Sequence, residues 1–269
     1  MAEIQKQLSK FPKRWPRFVT TLLVVVGVII LTKICIDFKG VNPKGLAVAK
    51  NAFTGIFVPD WGVITDLSSV GLGYLLLETL AIAFLGTVFG AIFALPFAFL
   101  GSRNVAPLWV NEICLIIISI IRAFPAFMYG IMFVKAVGLG AFAGVLSMAL
   151  GSLGMLSKLM IEAIEDIDNG VLEALDSTGA STFEKIRYGI IPQLSSNFIS
   201  TILYRFDINI KNATILGVVG AGGIGAPLIF AINAQKWHAV GSYLLGIVVL
   251  TLVIEYVSTR IRNKLATGE

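Results

Sequence analysis

The chain has 269 residues, 57% of them hydrophobic and only 14% charged, with a mean hydropathy of +0.87. Soluble domains carry about a quarter charged residues, so the composition excludes a soluble enzyme and indicates an all-α integral membrane protein, one helical domain by its length. A net charge of +5 and a pI near 9.2 need no nucleic acid to explain them, since basic residues at the cytoplasmic ends of spans account for both.

Residues 1–17 form a basic N-terminus with Lys6, Lys10, Lys13, Arg14 and Arg17, and with Trp15 at its edge. A first span over 18–36 follows, roughly 29 Å long at the helical rise and so able to cross a bilayer. A cleaved signal peptide would have a shorter apolar core and a small-residue site directly after it. Ala47-Val-Ala49 stands too far downstream, and 18–36 reads as an uncleaved anchor. Residues 37–69 are moderately polar and form the expected extracytoplasmic segment, in which 47–58 can be a short interfacial helix. No chemistry is expected there.

The main transmembrane domain covers 70–258. Its first span, 72–100, carries Gly86 and Gly90 at a spacing that lets two helices approach closely, and Pro96 predicts a kink near its end. Further spans are expected over 112–134 and 141–160, from Pro192 onward with a polar middle, and over 240–257, which makes about six in all. Residues 259–269 form a cytoplasmic tail. Cys35 and Cys114 lie in apolar runs and read as packing residues.

Charge supplies a topology. With the N-terminus inside, the inner side holds the five N-terminal cations, Arg103, Lys158, Lys185, Arg187, Arg260, Arg262 and Lys264. The outer side holds Lys33, Lys39, Lys44, Lys50, Lys135 and Lys236. The excess is inside, as the positive-inside rule requires. The polar stretch at 161–192 then lies in the cytoplasm.

That stretch reads as two short helices broken at Gly179. Asp168 or Asn169 caps the first, which runs through Val171, Leu172, Leu175 and Thr178. Ser181 opens the second, with Glu184 at a capping-box spacing. Phe183, Ile186 and Ile190 then fall on one helical face, and Pro192 is expected to end that helix and can sit at the first turn of the next. An amphipathic helix pair of this kind either lies on the bilayer surface or docks its apolar stripe into a soluble partner.

Glu173, Ala174, Gly179 and Pro192 resemble the cytoplasmic coupling motif of ABC importer permeases: Glu-Ala-Ala, three residues, Gly, nine residues, Ile-x-Leu-Pro. The chain departs from it at Leu175, Gly189 and Ile191. Arg122-Ala-Phe-Pro125, Glu162-Ala-Ile-Glu165, Tyr204-Arg-Phe-Asp207 and the run from Ala213 to Gly225 extend the likeness. Together they resemble the permease subunit of phosphonate-type importers, over about 72–262. The resemblance implies a type I importer permease fold in a bacterial inner membrane, with both termini cytoplasmic. It implies coupling to an ATPase through Glu173, Ala174, Leu175, Gly179, Ala180, Ile186 and Pro192. The implied partners are a second copy of the chain, two copies of an ATP-binding subunit that holds ATP and Mg, and an extracytoplasmic substrate-binding protein. The implied cargo is a phosphonate, phosphite or phosphonate ester, moved by alternating access.

Within the spans stand Glu78, Arg122, Arg205, Asp207 and Lys211. Each isolated charge at mid-bilayer costs about 2.5–3.5 kcal/mol, so these residues must pair or line a polar cavity. Asp207 and Lys211 are spaced for an intrahelical pair, which can be structural or part of a gate. Arg122 and Arg205 are either the cationic lining of an anion pathway or buried arginines satisfied by carbonyls or by Glu78. Asn209, Asn212 and Thr214 add hydrogen-bonding groups. Gly220, Gly222, Gly223 and Gly225 match G-x-G-x-x-G, but no βαβ unit and no acid at the right distance follow them. They and Pro125 read instead as helix breaks beside a pathway.

No G-x-x-x-x-G-K-[ST] occurs, so the chain binds no nucleotide by that motif, and any ATP is hydrolysed on another subunit. His238 is the only histidine and has no second one with which to share a metal. No nucleophile–base pair marks an enzyme. A gradient-driven anion transporter or channel would use the same charges but would give the stretch around Glu173 no role.

Overall fold

The computed structural model describes residues 14–35, 43–66 and 68–267. Every element among them is a helix. The expected basic N-terminus up to residue 13, Lys39 and the last two residues lie outside the described residues. The chain divides into two compact units, 1–50 and 51–269. The first holds α1 (Arg14–Cys35), an apolar helix long enough to cross a membrane, and the start of α2 (Pro43–Ile56).

The second unit continues with α3 (Trp61–Thr65), α4 (Leu72–Leu100), α5 (Leu108–Ala123), α6 (Ala126–Val137) and α7 (Ala141–Glu165). It then runs through α8 (Asn169–Ser177), α9 (Thr182–Glu184) and a π-helical turn at Lys185–Ile190. It closes with α10 (Ile191–Val218), α11 (Gly225–Asn233) and α12 (Trp237–Thr267).

By length and apolarity α1, α4, α7 and α12 can each cross a membrane, and α5 with α6 makes a fifth crossing if the bent pair counts as one. The sixth expected span is α10. Its 28 residues are long enough, but its polar middle keeps it below the same apolarity test.

Small residues set the central seam. A Cβ at Gly86 would overlap the Met148 side chain, and one at Gly90 would overlap that of Ser152. Close approach of α4 and α7 therefore depends on both glycines. Three layers of apolar contacts follow along the bundle. Leu72, Leu75, Ile224, Leu228 and Val240 pack at one end, and Ile82, Val145, Met148, Ile210 and Leu216 in the middle. At the other end Met160, Ile161 and Ile164 of α7 meet Leu172, Ile190 and Phe198. That last layer anchors the α8–α9 segment to the bundle.

The expected span at 112–134 is not one helix. It breaks between α5 and α6 with a bend of 84°, and Phe124 is extended (φ −100°, ψ 131°). Pro125 has no N–H for the carbonyl of Ile121, four residues back. Tyr129, 5% exposed, supplies the missing donor, its hydroxyl lying 2.6 Å from that oxygen. The Phe124 and Tyr129 rings meet edge to face at 6.1 Å. A proline alone predicts a kink, whereas a proline with a tyrosine that takes over the freed carbonyl sustains a break. Pro96, by contrast, lies inside an unbroken α4.

Candidate functional site

The segment from α8 to α10 is locked locally. Asp168 caps α8 by accepting the Gly170 amide at 2.9 Å. Gly179 follows α8 with φ +77°, in the left-handed region that favours glycine. The Ala180 amide there bonds back to the Leu175 carbonyl. Ser181 and Glu184 form a reciprocal capping box, with the Ser181 amide donating to Glu184 Oε2 at 2.7 Å. Hydrogen bonds from the Ser181 hydroxyl and amide hold the Glu184 carboxyl below the usual glutamate range. An ion pair between Lys185 and Asp176 ties the second short helix to the first.

The next turn departs from the expected pattern. Pro192 stands in the first turn of α10, as expected, but no stop separates that helix from the one before it. The chain passes through the π turn into α10 without a break, and the Ile191 amide reaches five residues back to the Ile186 carbonyl. A proline at 192 has no amide for the Tyr188 carbonyl and would crowd it in an α-helix. The wider turn relieves this, and the Gln193 side chain takes the Gly189 carbonyl at 2.8 Å. In consequence the expected stripe is split. Ile190 is 1% exposed in the core, Ile186 packs partly against the same cluster, and Phe183 is 67% exposed. Glu173 and Ala174 are exposed on α8. Arg187 lies over the exposed Tyr188 ring, an aromatic that sequence reasoning did not single out.

Leu175 and Gly189, two of the departures from the importer motif, touch each other. A Cβ at Gly189 would come 2.8 Å from Leu175 Cδ1.

In the bundle, Arg205 is buried between α10 and α7. Its Nε donates to Ser152 Oγ at 3.0 Å and its Nη1 to Met155 Sδ at 3.1 Å. Asn209, fully buried, donates to Ser152 Oγ at 2.7 Å and to Thr87 Oγ1 at 2.8 Å. This network joins α4, α7 and α10. Arg122, in the last turn of α5, is exposed and makes no ion pair among the described residues. Its Cγ lies 2.9 Å from where a Cβ at Gly154 would stand, and Arg205 Nη2 lies 3.1 Å from the corresponding point at Gly151. Gly151 and Gly154 share a face of α7. The Arg122 stem from α5 and the Arg205 guanidinium from α10 therefore meet the same glycine face of α7, beside the break between α5 and α6. Ser152, Gly151 and Gly154 were not legible as site residues, because small residues in an apolar helix look like packing.

The other intramembrane charges pair differently from expectation. Asp207 meets Arg262 at 3.4 Å, and Lys211 meets Glu255 at 3.9 Å, so both reach α12 and not each other. Glu78 sits 3.0 Å from where a Cβ at Gly222 would stand. Gly222 would also contact Ala141, at the start of α7, some 20 Å along that helix from Gly154. Glu78 is thus no partner for Arg122.

Gly220, Gly222 and Gly223 all have positive φ in the turn after α10. The Ile224 amide donates to Thr79 Oγ1 at 3.0 Å, and Gly217 meets Gly225 backbone to backbone. A mostly apolar cavity of about 480 Å³ lies beside this turn, lined by Leu139, Val219, Gly222, Ile229 and Phe230 among others. His238 is apart from all of this, its ring Nδ1 2.7 Å from the Val58 carbonyl.

Residues 86–266 match the family described as binding-protein-dependent transport system inner membrane component. HtxC of Stutzerimonas stutzeri, named as a candidate phosphite transport system permease protein, is 33% identical over 97% of this chain and 90% of its own length. The phosphite transport system permease protein PtxC of the same organism is 35% identical over 70% of this chain and 69% of its own. The phosphate-import permease protein PhnE of Mycolicibacterium smegmatis is 41% identical over 68% of this chain but 34% of its own length. Among solved structures, the MetNI methionine ABC transporter aligns over 72% of this chain and 95% of its own, with a TM-score of 0.63 and 20% identity. The likeness is one of fold.

Proposed function

Because the chain belongs to the family of binding-protein-dependent transport system inner membrane components, and is therefore the permease subunit of an ABC importer whose ATPase is a separate subunit, we propose that it conducts a phosphorus oxyanion. The class is phosphonate, phosphite or phosphonate ester. Two copies form an alternating-access pathway, two ATP-binding subunits dock beneath, and an extracytoplasmic binding protein delivers the cargo. Residues 70–258 are the permease domain, held in a bacterial inner membrane with both termini in the cytoplasm.

One observation carries the reading of the cargo. Arg122 and Arg205 flank one glycine notch of α7, and neither has a carboxylate partner among the described residues. Two cations without a carboxylate partner, one buried in the bundle and one exposed beside it, favour an anion. The names of the phosphite-system relatives agree with that charge. Asn209 holds the network behind Arg205. Asp207 and Lys211, being paired to α12, tune the wall and do not contact the cargo. Pro125 breaks a helix beside the notch, and the glycines at 220, 222, 223 and 225 break one near the start of α7, where Glu78 stands as part of the gate.

Coupling runs through Glu173, Ala174, Leu175, Gly179, Ala180, Ile186 and Pro192. ATP binding closes the cytoplasmic subunits, and the α8–α9 corner carries that motion into α10. The test is ATPase activity of the reconstituted complex, with and without binding protein and a phosphonate, in wild type and Gly179→Asp. The expected result is stimulation in wild type and loss of it in a variant that still inserts. Unchanged stimulation in Gly179→Asp would remove the coupling role from this corner, and a binding protein indifferent to phosphorus oxyanions would remove the proposed cargo.

A further inference from the structure

Arg205 is 6% exposed, yet its two hydrogen bonds go to a hydroxyl and a thioether. A guanidinium buried against neutral acceptors is left short of the charge that would compensate it. Its third nitrogen, Nη2, takes part in neither of these bonds and lies 3.1 Å from where a Cβ at Gly151 would stand. The same network is incomplete at its other end, where the carbonyl oxygen of fully buried Asn209 has no donor. A fully satisfied structural network would pair the Asn209 oxygen and give the buried guanidinium a charged acceptor. Arg205 also stands on α10, about 21 Å along an unbroken helix from Ile191. Ile191 continues directly from the π turn and the α8–α9 corner.

We propose that Arg205 is an anion sensor built into the permease. Ser152 and Met155 hold it as a latch between α7 and α10 while the pathway is empty. An oxyanion entering the notch beside Arg122 offers Arg205 a charged acceptor, draws the guanidinium off Ser152 and shifts α10. That shift reaches the coupling corner through the continuous helix. The permease thus reports the charge of its cargo to the ATPase, independently of the binding protein. The inference rests on the reading of Arg122 and Arg205 as pathway lining.

The experiment uses the permease with its ATP-binding subunit in nanodiscs, where both faces are accessible, and no binding protein. Millimolar phosphite or methylphosphonate is compared with chloride at equal ionic strength. The expected result is several-fold stimulation of ATPase activity in wild type, none in Arg205→Gln and a partial response in Arg205→Lys. Ser152→Ala, which removes the latch acceptor, is expected to raise the anion-free rate several-fold and to flatten the response. If Arg205→Gln fails to assemble, Arg205→Lys and Ser152→Ala decide. An anion-free rate and response unchanged in Ser152→Ala would overturn the latch. A wild type blind to free anion but stimulated by loaded binding protein would overturn the sensor and leave the importer reading intact. No stimulation by either would sink the cargo assignment beneath it.

Discussion

Leu175 fills the space that a side chain at position 189 would occupy. Relative to the importer motif, which has Ala and Ile at these two places, volume has moved from the turn to the short helix facing it. Gly189→Ile alone is expected to overpack this contact and to lower the thermal stability of the complex, by about 1–3 kcal/mol. Leu175→Ala combined with Gly189→Ile should recover most of that loss, and a double-mutant cycle on unfolding temperature measures the coupling. Tyr129 permits a second test at this scale. Tyr129→Phe leaves the Ile121 carbonyl without a donor beside Pro125, at a cost of about 1–3 kcal/mol for a buried unsatisfied group. Thermal denaturation in detergent reads it, and a variant as stable as wild type would mean that another donor reaches the carbonyl. Neither contact is visible in a single sequence, because Leu175 and Gly189 look like drift from a motif until the turn is seen to bring them together.

Helices differ in how plainly the sequence announces them. The span at α4 was legible to the residue, since 29 apolar residues without a charge other than Glu78 allow little else, and the Gly86–Gly90 spacing pointed to a close neighbour. Replacing Gly90 by Val is expected to disrupt the seam against Ser152 and to lower the folded yield. Gly27→Val, at a glycine with nothing within 4 Å, should leave yield unchanged. Fluorescence-detected size exclusion separates the two. A helix break at Pro125 was legible, but its 84° bend, the Tyr129 donor that sustains it and the pairing of Asp207 and Lys211 with α12 were not, because each depends on which side chain is brought alongside. The capping box was legible, and it makes a pH prediction. The Glu184 carboxyl titrates below its ordinary value, so its support for α9 is present in full above the usual glutamate range. It is lost as pH falls through the lowered value. The Ser181 and Glu184 amides should therefore be protected relative to their intrinsic exchange rates at neutral pH and lose that protection in acid. Ser181→Ala should be fast at both.

At the scale of the whole molecule, the charge pattern of the sequence proposes an orientation in the membrane. If α10 is counted as a crossing beside the bent α5–α6 pair, the proposed topology has six crossings and puts both termini in the cytoplasm. Cysteines introduced at Ser177 and Gln235, after Cys35→Ser and Cys114→Ala, test it. An impermeant thiol reagent added outside should label position 235 and spare 177, and labelling of 177 would reverse the orientation. The six residues of the π turn bear on this arrangement as well. A π turn is in effect one extra residue wound into a helix, and each residue of an α-helix advances the azimuth by roughly 100°. The Lys185–Ile190 turn therefore sets the rotational phase between the corner at Gly179 and the face of α10 that carries Arg205. Deleting one residue there would let the turn rewind as α-helix and leave both ends folded but out of phase, a drive shaft joined one spline off.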